Sequence, residues 1–216
     1  SSDLLAVARE ERVPVRVEHV GSRVGEGKRI MLVDHRDSFV HTLGDYLRRT
    51  GAEVVTFRAG FSHALVDRIR PDLAVLSPGP GRPRDFDVGG TLGAFIARAV
   101  PVFGVCLGLQ GIVEHFGGAL DVLETPFHGR STEVRVSGGK LFAGLPDRFR
   151  VGRYHSLHAR TKAVPACLAV TAMSEDGIVM AVEHRALPIH AVQFHPESIL
   201  TPVPVGLGIL ENVLAA

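Results

Sequence analysis

Four short apolar runs, each followed by a stretch with helical spacing, constrain this chain more than any other feature. The runs are Arg29–Asp34, Glu53–Phe57, Asp72–Leu76 and Pro101–Val105. After them come Ser38–Arg49, with Asp37 or Ser38 as N-cap and Gly51 as stop, then Ser62–Ile69, Gly90–Ala99 and Leu107–His115. Of these, Pro101–Val105 reads as a parallel strand covered on both faces and Asp72–Leu76 as another buried strand, while Arg29–Asp34 and Glu53–Phe57 read as strands. Strands alternating with helices predict an α/β fold, a doubly wound and mostly parallel sheet with flanking helices. After Gly118 the pattern changes to short strands and turns, which predicts a small antiparallel strand extension. Ser174-Glu175-Asp176-Gly177 reads as a hairpin turn between Leu168–Ala172 and Ile178–Glu183, and Pro204–Leu214 as a closing helix.

The 216 residues are enough for one domain with a sizeable core, and 45% of them are hydrophobic. A net charge of +1 with no Lys/Arg tract argues against a nucleic-acid partner. No apolar run approaches a membrane span and no signal peptide is visible, so neither membrane nor export is expected. Two cysteines cannot build a disulfide framework, which makes the cytoplasm the expected location. Residues 1–28 end in Gly21-Ser22-Arg23-Val24-Gly25-Glu26-Gly27-Lys28. They are expected to be a linker or the remnant of an upstream domain, with the domain proper at 29–216.

Cys106 stands between the strand Pro101–Val105 and the helix Leu107–His115, with Gly104 and Gly108 two residues to either side. So tight a strand-to-helix turn leaves no room for side chains at those two positions, the logic of a nucleophile elbow. Free N–H groups at a helix N-terminus favour an anion, and a thiolate is the reactive form of cysteine. Cys167 has no such setting and reads as core filling. His195 and Glu197 are two apart after another apolar run, so in an extended chain they face the same way. Pro196 keeps His195 out of a helix. Glu197 can then hold one ring nitrogen while the other accepts a thiol proton. Nucleophile, base and orienter together are the minimum for covalent acyl transfer.

Ser77-Pro78-Gly79-Pro80-Gly81 follows the strand Asp72–Leu76, at the end where doubly wound sheets bind ligands. Its glycine N–H groups can supply an oxyanion donor beside the N–H of Leu107. The loop lacks a Gly-Lys-Ser/Thr ending and is too rich in proline for a dinucleotide fingerprint. His155 and His158 lie in a loop-like stretch with no third ligand at sensible spacing, so no metal site is expected. His184 and His190 flank a turn and read as solvated.

Taken together, these segments resemble the class I glutamine amidotransferase domain of the triad type, over roughly Arg29 to Leu214. The resemblance implies Cys106 as nucleophile, His195 as base and Glu197 as its orienter. It implies an oxyanion hole from Gly79 and Leu107. The glutamine pocket would use Gly79, Pro80, Gly81, Gln110 and the backbone of Ser156 and Leu157, within Tyr154-His155-Ser156-Leu157. Leu32–Leu43 and Phe127-His128-Gly129-Arg130-Ser131 are similar to the chorismate-using branch, in particular to anthranilate synthase amidotransferase domains. His35 and Arg36 replace the commoner Asn-Tyr or Asn-Asn there. In that branch His128, Gly129 and Arg130 would face a chorismate-binding synthase, fused upstream by the form of the motifs. L-glutamine would be the substrate, and the domain itself would need no cofactor, Mg2+ being expected only in the synthase. Amidotransferases of aminodeoxychorismate or phenazine-type aminodeoxyisochorismate synthases, and a free-standing γ-glutamyl hydrolase, remain alternatives. The triad is intact, which disfavours a non-catalytic interaction module.

Overall fold

The computed structural model describes residues 22–216. Residues 1–21, which hold most of the expected linker or upstream remnant, lie outside the described residues. Residues 22–28 form turns against the body of the fold: the Gly25 N–H donates to Thr50 O at 2.9 Å.

The strands of the first half are β1 (Arg29–Asp34), β2 (Glu53–Arg58), β3 (Leu73–Leu76) and β4 (Val102–Val105). Helices α1 (Val40–Arg48), α2 (Ala64–Ile69), α3 (Val88–Ile96) and α4 (Leu107–His115) connect and follow them. The second half contributes β5 (Leu120–Val122), β6 (Arg130–Val136), β7 (Arg148–Arg153), β8 (Leu157–Ala159), β9 (Leu168–Ser174), β10 (Val179–His184), β11 (Ile189–Val192) and α5 (Val203–Ala215). One sheet takes the order β2-β1-β3-β4-β11-β10-β9-β6-β7, and β5 and β8 form a separate pair. The five strands from β2 to β11 are parallel. The remaining four join antiparallel, so the extension continues the main sheet.

The unbroken apolar runs find their reason in this architecture. Along β1, Ile30 and Leu32 enter one core cluster while Met31 and Val33 enter the other. Successive side chains point to opposite faces, so a strand covered on both sides must be apolar at every position. Helices α1 and α5 cover the first face through Leu43, Leu47, Ile209 and Leu210. Helices α3 and α4 cover the second through Leu92, Phe95, Leu109 and Ile112.

Several element ends differ from the sequence expectation. Helix α1 starts at Val40, because Asp37 spends its side chain on the Phe39 N–H in a local turn and caps nothing further along. Helix α3 starts at Val88, earlier than Gly90, because Asp87 accepts from the Gly90 N–H and caps it. The Leu168–Ser174 and Val179–His184 hairpin forms as expected. His190, expected in solvent, is buried with Nδ1 3.8 Å from Glu183. It sits in β11, a central strand, opposite Glu183 of the neighbouring β10.

Parallel strands all end at one edge, and there the loops carrying His35, Ser77–Gly81, Cys106 and His195 meet. A bridge between Gly152 and His195 brings the end of β7 to the same place, so the antiparallel half curls back over that edge.

Candidate active site

Cys106 has φ 55° and ψ −99°, a left-handed backbone for a residue with a side chain. Such a conformation costs on the order of 1–3 kcal/mol and persists only where its surroundings impose it. Here they do: the Cys106 N–H donates to Val192 O at 2.8 Å, and Cys106 O accepts from the Gln110 N–H at 3.1 Å. The two flanking glycines are obligatory. A Cβ on Gly104 would lie 2.7 Å from the Gly108 carbonyl carbon, and one on Gly108 would lie 2.5 Å from Leu76 O. The elbow is thus a consequence of packing the start of α4 directly onto β3 and β4.

His195 is buried, and its Nδ1 lies 2.8 Å from Glu197 Oε1. Its other nitrogen, Nε2, is buried without a hydrogen-bond partner among the described residues. Burial alone would push the proton off this ring. The Glu197 charge and hydrogen bond, with the neighbouring Cys106 sulfur, outweigh it, and the pKa of His195 stands well above the usual histidine value. The ring is also wedged in place, with the Phe39 centroid at 4.8 Å and the Tyr154 centroid at 5.0 Å. Thr201 Oγ donates to His195 O at 2.7 Å and ties down the main chain.

Among the described residues, neither the Gly79 N–H nor the Leu107 N–H has an acceptor in the chain. The two residues touch, since a Cβ on Gly79 would fall 2.5 Å from Leu107 Cδ2. Two unspent donors beside a strained thiol are what a developing oxyanion needs. A cavity of about 130 Å³ opens in front of them, lined by Gly79, Pro80, Gly81, Cys106, Gln110 and Tyr154-His155-Ser156-Leu157, with His128 at its rim. A larger concavity of about 410 Å³ at the other end of β11, around Lys140, Glu183 and His190, holds no nucleophile.

Not every expected contact is free to meet a substrate in the expected way. Gln110 Nε2 donates to Leu157 O at 3.0 Å and to Gln193 Oε1 at 3.3 Å, so its amide nitrogen already positions the far wall. Leu157 O also accepts from His155 Nδ1 at 2.8 Å, and Ser156 O from the Leu123 N–H at 2.7 Å. With those carbonyls taken, what this segment still offers a substrate is backbone N–H, that of Ser156 among them. His128, Gly129 and Arg130 are exposed on the loop leading into β6.

Two residues escaped the sequence reading. Gln193 is fully buried, and its Nε2 donates to Cys106 Sγ at 3.5 Å. A lone amide between Val192 and Phe194 was the available signal. Arg153 is fully buried as well. Its Nε donates to His155 Nε2 at 3.1 Å, its Nη1 pairs with Asp176 at 2.9 Å, and its Cζ lies 3.6 Å from the Phe127 ring centroid. It thereby packs the 123–129 loop against the segment that lines the cavity. Burial and the Arg153 charge push the pKa of His155 down to about 3, so this ring is neutral.

Comparison with known proteins came to the same region of the chain. A protein-family model described as glutamine amidotransferase class-I matches residues 31–214. An anthranilate synthase from Azospirillum brasilense is 66% identical over 193 residues, 89% of this chain but 26% of that protein. The chain therefore spans about a quarter of that relative. An anthranilate synthase component 2 from Methanothermobacter marburgensis is 40% identical over 199 residues, 87% of this chain and 98% of that one. Among solved structures, a protein described as a GMP synthase subunit from Thermoplasma acidophilum superposes with a TM-score of 0.78 at 28% identity, covering 87% of this chain and 92% of that chain.

Proposed function

This chain belongs to the class I glutamine amidotransferase family, and from that premise we propose that it releases ammonia from L-glutamine at Cys106 for a chorismate-using synthase, one that makes anthranilate. The observation that carries the reading is the strained Cys106 facing an unpartnered Nε2 of His195, whose other nitrogen is held by Glu197. The relatives named for anthranilate synthesis support the choice of product.

In the reaction, the thiol proton of Cys106 has first passed to His195 Nε2, and Sγ then attacks the side-chain amide carbon of glutamine. The carbonyl π electrons move onto oxygen, and the N–H groups of Gly79 and Leu107 hold that oxyanion, each such donor being worth roughly 3–4 kcal/mol. The raised pKa of His195 suits the next step, since the ring keeps its proton until the leaving nitrogen takes it. Collapse of the intermediate breaks the C–N bond, releases ammonia and leaves a γ-glutamyl thioester. Water then gives a proton to His195 and attacks the thioester, and glutamate departs as the thiol re-forms. Ammonia must reach its acceptor before it is protonated. That demands a closed route to the synthase, and the exposed His128–Arg130 loop beside the cavity mouth is the proposed docking side.

Labelling with a glutamine-like diazoketone, followed by peptide mass mapping of the intact enzyme, tests the first half. A glutamine-protected adduct on Cys106, absent in Cys106→Ala, is expected; no adduct on folded protein would refute it. Anthranilate fluorescence from chorismate plus glutamine tests the second half. A different aromatic amine as sole product would overturn the choice of synthase.

A further inference from the structure

The peptide that presents the Gly79 N–H is held from behind by two residues that the reaction does not touch. His35 follows β1 and Ser77 follows β3, and both are fully buried. The main-chain N–H of His35 donates to Ser77 Oγ at 3.0 Å. The ring Nδ1 of His35 lies 3.0 Å from Ser77 O and 3.1 Å from Ser77 Oγ. A carbonyl oxygen can only accept, so Nδ1 carries the hydrogen. Two donors of His35 are therefore turned toward the serine. The hydroxyl hydrogen of Ser77 is left with the Pro78 carbonyl oxygen, at 2.7 Å.

That bond has a consequence one atom further on. The Pro78–Gly79 peptide is trans, so its C=O and N–H point in opposite directions. Anchoring the oxygen to Ser77 aims the hydrogen the other way. The peptide is also gripped: a Cβ on Gly79 would meet His35 Cβ at 2.7 Å and Leu107 Cδ2 at 2.5 Å. Burial keeps His35 neutral, its pKa pushed down to about 4, so its donor pattern holds near neutral pH.

We propose that His35 and Ser77 form a latch that fixes the Pro78–Gly79 peptide with its N–H turned into the oxyanion hole. They are positioning residues for glutamine hydrolysis, and the proposal rests on the glutaminase reading above. The latch acts on the charged intermediate and not on ground-state binding.

The test uses Ser77→Ala and Ser77→Thr in the intact enzyme, with three readouts. Glutamine hydrolysis gives kcat and KM. Affinity for glutamate γ-semialdehyde reports a hemithioacetal whose oxygen sits in the hole. Alkylation of Cys106 by iodoacetamide needs no oxyanion stabilisation. Full loss of one donor costs about 100- to 1000-fold in kcat, so partial misalignment in Ser77→Ala is expected to cost about 10- to 100-fold. KM and the alkylation rate should stay within about twofold, the aldehyde affinity should fall with kcat, and Ser77→Thr should restore most of it. Should Ser77→Ala not fold, His35→Leu removes the ring donor while keeping the main-chain one, and is expected to show the same pattern at smaller amplitude. An unchanged kcat in a folded variant overturns the latch, as does an equal loss of alkylation. A wild-type enzyme with neither glutamine hydrolysis nor an aldehyde adduct fails the glutaminase reading itself.

Discussion

His35 makes the stability of this fold sensitive to mild acid, by an amount that can be worked out. Its ring is fully buried, and its pKa falls from 6.5 to about 4, mainly through burial, with the Ser77 carbonyl opposing. As the pH drops below 6.5 the unfolded chain takes up a proton that the folded protein refuses. The contribution of His35 is therefore fully present above pH 6.5 and is lost progressively toward pH 4. With those two values, moving from pH 7.5 to 5 removes about 2 kcal/mol of stability through His35 alone. His155, pushed down to about 3 by burial and Arg153, loses a similar amount, about 2 kcal/mol over the same interval. His195 runs the other way: its pKa is raised, so its contribution is full below 6.5 and fades as the pH rises through the folded value. The wild-type slope mixes all three, and a variant separates them. In urea titrations at pH 7.5 and 5.0, the wild-type chain should lose about 2 kcal/mol more than His35→Asn, a relative midpoint shift of roughly 1 M for an m-value of about 2 kcal/mol/M. Equal losses in the two proteins would refute the argument, because they would mean that the buried ring either protonates in place or is not buried in solution.

Two other perturbations follow from the site. Glu197→Gln keeps a hydrogen-bonding side chain against His195 but removes the charge that holds its proton. The expected result is a fall in kcat/KM of about 100- to 10,000-fold, and the alkaline limb of its pH profile should move to lower pH; an unmoved limb would count against the assignment. The Arg153–Asp176 pair is asymmetric, with side-chain exposures of 0% and 43%. Asp176→Ala strands a buried guanidinium and should cost about 3 kcal/mol, whereas Arg153→Met leaves a carboxylate that water can reach and should cost less; denaturant midpoints of the two variants would show the reverse order if the pair were not buried in this sense.

The residues that were readable from the chain are those whose partners are close in sequence or whose pattern repeats. The strand runs were legible because burial on two faces demands apolar side chains at every position, as β1 shows with Ile30 and Leu32 against Met31 and Val33. The nucleophile elbow was legible because Gly104 and Gly108 record a steric demand within four residues of Cys106. His195 and Glu197 were legible because an extended chain puts i and i+2 on one side. The supporting shell could not be read this way. Gln193 reaches the nucleophile across 87 positions, Ser77 reaches His35 across 42, and Arg153 reaches Asp176 across 23. Nothing local in the chain encodes such distances. They exist because the parallel strands end at one edge and the antiparallel half curls back over it. The chain alone determined that a thiol, an imidazole and a carboxylate would be present in reactive settings. The tertiary structure decided that they meet in one buried site, that two backbone donors stay unspent beside them, and that buried His35 and Ser77 pack behind the peptide carrying one of those donors, because burial and hydrogen-bond geometry are properties of elements brought together by folding.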